Sequence, residues 1–326
     1  MTLPTRPGMT VPLPGHLHTH REKLQELADL GYTDIWSAEA DAADAFTPLA
    51  LAAAWEPRLR LGTAIVPAYT RAPACFAQSV ASLADAAPGR FAIGIGSSSN
   101  VIVERWNGVP FTEPYKKVRD IVRFLNDALS GEKVAKRYDT FEINGFKLGV
   151  RPEVKPQILV AALREGMLKL AAREADGAII NWLGPDDVPR VAGVVHDHGG
   201  ADKEIVARIF VCPSENTDVV RAGARFAIAA YLNVPVYAEF HRWLGRGEQL
   251  QGMWDAWGAG DRKAALAAIP DEVVDQLVVH GSPAECRATI QRYFDNGVTT
   301  SSLAILSLDP ALDHWEAVRA LSPSAH

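Results

Sequence analysis

Short apolar runs and longer amphipathic runs alternate along this chain almost from end to end. That alternation restricts the fold more than any other feature. Brief runs rich in branched residues read as buried strands, and the runs with helical spacing read as crossover helices. Strands are expected at Thr10–Leu13, Thr33–Trp36, Leu59–Val66, Phe91–Ile95, Gln157–Ala161, Ala178–Asn181, Ile205–Cys212 and Ser302–Leu306. Helices are expected at Glu22–Leu30, Phe46–Trp55, Pro73–Ala86, Pro114–Leu129, Met167–Ala175, Pro185–His196 and Pro283–Phe294, with further helical stretches after Cys212. Pro48 falls in a first turn, where proline is tolerated, and Gly31 and Gly131 stop the helices before them.

Strand–helix repetition implies parallel pairing through right-handed crossovers. A ninth strand candidate, Leu277–Val279, reads as a short approach to the next helix, which leaves eight strands. Eight close a barrel. The expected fold is therefore α/β, a single (β/α)8 TIM barrel over residues 1–326 with insertions at the carboxyl-terminal face of the strands. An open doubly wound sheet is the alternative, and no composition break marks a linker. Two stretches interrupt the repeat. Residues 136–151 alternate Phe141, Ile143, Phe146 and Leu148 around Asn144-Gly145, a hairpin signal. Residues 234–269 hold Trp243, Trp254 and Trp257 in short helical patterns, and insertions of this kind shape substrate pockets.

Composition excludes several functions. The 326 residues are 48% hydrophobic and 22% charged, enough for a large core. A net charge of −6 argues against nucleic-acid binding, and no apolar run is long enough for a membrane span. There is no signal-peptide pattern, and Cys75, Cys212 and Cys286 are odd in number and far apart. Reduced, buried thiols in a cytoplasmic protein are expected.

Gly94-Ile95-Gly96-Ser97-Ser98-Ser99-Asn100 follows an apolar strand and precedes a helical run, Val101–Glu104. Glycine lets a flat ring or a phosphate approach the main chain, and this strand end is where α/β folds build small-molecule sites. The plain alternative is a helix-capping serine cluster. Three other segments would meet at the same face. They are Ser37-Ala38-Glu39, Gly62 to Val66 with the turn Thr70-Arg71-Ala72-Pro73, and Ala162 to Met167. In the last, Arg164 and the amides around Gly166 suit an anion at a helix start, although a solvated Arg164–Glu165 pair explains them equally well. His16, His18 and His20 form His-x-His-x-His, but no acidic or cysteine partner lies near and Pro14-Gly15 spoils a regular strand. No metal site is assigned. Proton transfer by His16 or His18 is the preferred functional reading. Ser99 replaces the third glycine of a dinucleotide fingerprint, which argues against a Rossmann site.

The chain resembles the bacterial-luciferase-like flavin and deazaflavin oxidoreductases. The resemblance lies in Leu30 to Glu39, Leu61 to Val66 with Thr70 to Pro73, Gly89 to Ser97, Leu170 to Gly177 and His280 to Glu285, in that order. The run Ser97 to Gly108 is similar to the branch that uses coenzyme F-420, near the methylene-tetrahydromethanopterin reductase-like proteins. This resemblance implies a TIM barrel with the cofactor at the carboxyl ends of the strands, and a homodimer. It implies a bulged third strand with a non-proline cis peptide at Ala64–Ile65, polar contacts from Glu39 and Asn100, and tail-phosphate contacts near Arg164–Gly166. Gly94, Gly96 and Ser97 would complete that cleft. The sugar-phosphate dehydrogenase branch carries a histidine just after the acidic residue of strand two and a glutamate after Gly-x-Gly. Ala40 and Ser97 stand there instead, so that proton-transfer machinery does not carry over. The function expected is hydride transfer between coenzyme F-420 and a small organic substrate. The alternatives are an FMN-dependent monooxygenase and a barrel that binds a flavin or other ligand without turnover.

Overall fold

The computed structural model describes residues 3–324. Its strands are β1 (Gly8–Val11), β2 (Asp34–Ser37), β3 (Arg60–Thr63), β4 (Val66–Pro67), β5 (Phe91–Gly96), β6 (Val134–Arg137), β7 (Glu142–Phe146), β8 (Gln157–Ala161), β9 (Gly177–Asn181), β10 (Glu204–Cys212), β11 (Val279–His280) and β12 (Thr300–Ile305). The sheet closes because β12 pairs in parallel with both β10 and β1. Around the ring the order is β1, β2, β3, β5, β8, β9, β10, β12, an eight-stranded parallel barrel rather than an open sheet. The Val279–His280 segment pairs only with the end of β10 and stays outside the ring. In this ring β3 and β10 stand opposite each other, four steps apart in either direction.

Strand alternation sorts the barrel interior into layers. The floor is charged. Arg60, the first residue of β3, donates to both oxygens of Glu204 (2.7 and 2.8 Å), to Asp34 (3.0 Å) and to Gln157 (2.6 Å). Thr300 adds a hydrogen bond to Glu204 at 2.6 Å. These residues begin β2, β3, β8, β10 and β12, so the network seals the amino-terminal end. Above it lies a small apolar cluster of Trp36, Ala92, Leu159, Ile179 and Val206, against which Ala64 and Ile65 pack. A ligand can reach the interior only from the carboxyl end.

The third strand is interrupted. Gly62 pairs with Ala92 and Val66 with Ile95, so β3–β4 carries one more residue than β5 between these points, a bulge. The Thr63 hydroxyl fills the gap in the ladder. It accepts from the Gly94 N–H (2.8 Å) and donates to the Gly94 carbonyl (2.9 Å). On the other side, the Ala64 N–H donates to the Ser37 carbonyl and the Glu39 N–H to the Ile65 carbonyl. The Ala64–Ile65 peptide is cis, as the resemblance implied.

Some elements depart from the sequence expectation. A hairpin is present, but Asn144-Gly145 is not its turn. The chain reverses between Arg137 and Glu142, held by the Asp120 carboxylate on the Thr140 N–H and hydroxyl. Gly145 (φ +85°) is instead the extra residue where pairing shifts from Val134–Phe146 to Ala135–Asn144, a bulge that favours a left-handed glycine. The hairpin follows the helix Pro114–Leu129 rather than a strand, and its Tyr138, Phe141 and Phe146 pack on Phe124 of that helix. It is therefore an outer clasp rather than a cover for the barrel mouth. Residues 101–106 form a wide π-helical turn in place of an ordinary helix start. Cys75 is exposed, while Cys212 and Cys286 are buried, and all are free thiols. No helix among the described residues is long and apolar enough to cross a membrane.

The helical insertion begins after β10, earlier than the tryptophan pattern marks it. Helices at Thr217–Leu232, Pro235–Trp243, Gly247–Gly258, Arg262–Ala267 and Asp271–Leu277 precede β11. They enclose their own apolar core, which includes Val220, Ile228, Met253 and Val273. This core docks on Trp182, Phe210, Cys212 and Ala304 at the strand ends.

Candidate active site

The candidate site is the barrel mouth, between the bulge of β3–β4 and the facing strands β9, β10 and β12. The structure brings Ala64, Ile65, Gly96 and the segment beginning at Ala162 to one end. A Cβ on Gly96 would stand 3.0 Å from the Ile65 side chain and 3.1 Å from the Ala161 Cβ. Arg164, at the carboxyl end of β8, lies at that same end as Gly96, at the end of neighbouring β5. It caps the helix Glu165–Glu174 and reaches Glu239 of the helical insertion at 3.7 Å. Gly166 is exposed, with open space where a side chain would stand.

Gly94 is not open to a ligand. A Cβ there would fall 2.0 Å from the Thr63 carbonyl oxygen and 2.3 Å from Ile179 Cδ1. Its missing side chain makes room for the bulge, not for a ring. Ser97 and Ser99 shape the turn after β5. Ser98 is left-handed (φ 61°), and Ser99 Oγ accepts from the Ile102 N–H. Asn100 starts the π-helical turn with an exposed side chain that makes no capping bond.

Glu39 is present at the mouth, but its carboxylate is occupied. Arg71 donates to both oxygens, the Thr70 hydroxyl to one and the Ala45 N–H to the other. The pair is mostly buried, and the Arg71 guanidinium lies 4.8 Å from the centre of the Phe46 ring. Glu39 therefore fixes the turn Thr70–Pro73 against β2. His16 precedes the exposed turn Leu17–Thr19 after β1 and His18 lies within it, with the two rings stacked 5.7 Å apart. Their exposure suits solvent-facing proton exchange. His20 is buried beside them, and burial lowers its pKa.

Sequence reasoning missed the wall opposite the bulge. Asn181, Arg208 and Ser302 are register neighbours on β9, β10 and β12. Ile179 and Val206 belong to the interior cluster, so Asn181 and Arg208, two residues further, face inward above them. Asn181 donates to the Tyr237 hydroxyl at 3.2 Å. Burial pushes that phenol up to about 12, so it stays protonated. Trp182, Phe210, Tyr231 and Tyr237 form a connected aromatic group over this side. The available signal was an arginine inside the apolar run Ile205–Cys212.

One helical turn beyond Tyr237, His241 is fully buried and neither ring nitrogen has a partner. Burial and the nearby Arg246 charge lower its pKa to about 3. A base depressed in the folded state binds its proton only after unfolding, so it withdraws stability as pH falls from the unfolded value toward 3. His241 alone should give a slope approaching about 1.4 kcal/mol per pH unit below pH ~6.5. The variant His241→Phe should flatten the denaturation midpoint between pH ~7 and ~5. An equal pH dependence in both proteins would rule this out.

Comparison with known proteins agrees with the barrel fold. Residues 1–300 match the family described as luciferase-like monooxygenase. The chain is 27% identical over 293 residues to the 5,10-methylenetetrahydromethanopterin reductase of Methanolobus tindarius, covering 86% of this chain and 87% of that one. Its fold is similar to that of the coenzyme F-420 dependent tetrahydromethanopterin reductase from Methanopyrus kandleri, with a TM-score of 0.81, 18% identity and 98% of both chains covered. It is also similar to the oxygenating constituent of 3,6-diketocamphane monooxygenase from Pseudomonas putida, solved with FMN, with a TM-score of 0.69, 15% identity and 98% and 97% coverage. With the barrel closed, the third strand bulged and the match running over most of its length, the chain belongs to the luciferase-like monooxygenase family.

Proposed function

We propose that this enzyme transfers a hydride between coenzyme F-420 and a small organic substrate. The observation that carries the reading is the ridge Ala64–Ile65, held out of the ladder over a closed barrel and facing a wall with unpartnered polar atoms, Asn181 Oδ1 and Arg208 Nε. A flat ring laid against the ridge leaves that polar wall to a substrate. The choice of F-420 over FMN rests on a relative named as a putative coenzyme F420-dependent oxidoreductase of Mycobacterium tuberculosis, 26% identical over 311 residues and covering 86% of this chain and 88% of that one.

In this reading Ala64 and Ile65 support one face of the ring. Asn100, Ser97 and the backbone of the serine turn serve its edge. Arg164 and the free amides near Gly166 take an anionic tail. Bound deazaflavin supplies hydride acceptance or donation at its C5. The charged floor keeps water from entering below. The aromatic group between the strand ends and the insertion excludes it from above and leaves the ring's open face to substrate. His16 or His18 exchanges the proton with solvent.

Titration with F-420, followed by fluorescence, and with FMN in parallel tests this. F-420 should bind, and Gly96→Val should weaken it by about tenfold or more, because the branched side chain drives Ile65 into the ring's place. Tight FMN binding without F-420 binding would move the assignment to flavin chemistry. Binding with no turnover of any alcohol, aldehyde or enone would support a ligand-binding role instead.

A further inference from the structure

Among the described residues Arg208 is a cation without a counter-ion. Other buried arginines are satisfied: Arg60 pairs with Glu204 and Asp34, Arg71 with Glu39 and Arg246 with Asp187, while half-buried Arg90 and Arg287 donate to backbone carbonyls. Among the described residues Arg208 has no ion pair, and its Nε is buried with no hydrogen-bond partner. Its guanidinium carbon lies 5.0 Å from the centre of the Phe210 ring. Next to it in register, Asn181 spends its amide nitrogen on Tyr237 and leaves Oδ1 buried and unpaired.

A half-buried guanidinium is costly unless an anion meets it, and orphaned polar groups in a native interior call for an explanation. Two sit side by side here, on the inner wall, across the barrel from the ridge. One is a donor fork and the other an acceptor. Together they match a planar carboxylate with a hydroxyl or N–H beside it. Phe210, Tyr231 and Tyr237 offer aromatic faces to the remainder of such a molecule.

We propose that Arg208 anchors the substrate and that the substrate is an organic acid whose carboxylate takes the guanidinium, with an adjacent donor on Asn181 Oδ1. This rests on reading the mouth as the oxidoreductase site. It adds the chemical class of the molecule facing the coenzyme.

Calorimetric titration of the full chain, with and without F-420, tests the proposal using benzoate, 2-hydroxybenzoate, benzamide and inorganic phosphate as probes. Benzoate should bind better than benzamide or phosphate. Arg208→Gln should weaken benzoate by about tenfold or more and leave F-420 affinity unchanged, while Arg208→Lys should keep part of the binding. Asn181→Ala should remove the advantage of 2-hydroxybenzoate over benzoate. Because the cation is unpaired, Arg208→Met should melt higher than the parent. A lower melting temperature would give Arg208 a structural role and overturn the proposal. So would benzoate binding equally to Arg208→Gln, phosphate binding better than benzoate, or a parallel loss of F-420 affinity, which would assign the guanidinium to the coenzyme. If the parent binds benzoate through Arg208 but does not bind F-420, the anion site stands and the coenzyme assignment falls.

Discussion

Gly94→Ala should be among the most damaging single-methyl additions in this chain. The new Cβ would point at the Thr63 carbonyl oxygen from 2.0 Å. The oxygen is backbone and the Cβ is fixed rigidly to backbone on the adjoining strand, so no rotamer change relieves the contact. The same displacement would pull Gly94 away from the Thr63 hydroxyl, which satisfies its N–H and its carbonyl. A loss of at least about 3 kcal/mol is expected, from overpacking and from stranded polar groups together. Chemical denaturation measures it. A midpoint equal to that of the parent would show that the strands have room the present geometry denies.

Arg60→Met should cost a comparable amount for an electrostatic reason. Arg60 neutralises Glu204 and Asp34 under Trp36, and Asp34 is fully buried. Removing the cation leaves Glu204 without an ion pair at the barrel floor and Asp34 with Arg6 alone, and breaking a buried pair from one side costs about 3–5 kcal/mol. The double variant Arg60→Met, Glu204→Gln should recover part of that loss, because the orphaned charge goes with the cation while Asp34 keeps Arg6. A double variant no more stable than the single one would show that the network acts through shape rather than charge.

The sequence made the periphery of this fold more legible than its centre. The helices Phe46–Trp55, Pro73–Ala86 and Pro114–Leu129 appear with the expected bounds. In each, proline in the first turn marks the start. The ring of parallel strands followed from alternation, and the surplus segment at Val279–His280 stayed outside it. Asn144-Gly145 misled because a left-handed glycine serves a bulge as well as a turn. Gly94 misled in a similar way. Glycine announces that something comes close, but local sequence does not say whether it is a ligand or the next strand. Nothing in Ala64 or Ile65 as residue types signals a bulge, so that feature came from the resemblance alone. Arg208 and Asn181 were hidden in apolar runs. Their meaning depends on which strands the closed ring places opposite β3, and that is a property of topology rather than of neighbours in sequence.

The separate apolar core of the helical insertion has a consequence for how such a protein changes over time. Its roof rests on the strand ends through few residues, notably Trp182, Phe210, Cys212 and Ala304. Drift inside the roof is absorbed by the roof's own packing and leaves the charged floor and the bulge untouched. Selection can therefore remodel what the roof admits while the machinery below stays fixed. A lineage built this way diversifies by changing its guests, not its tool.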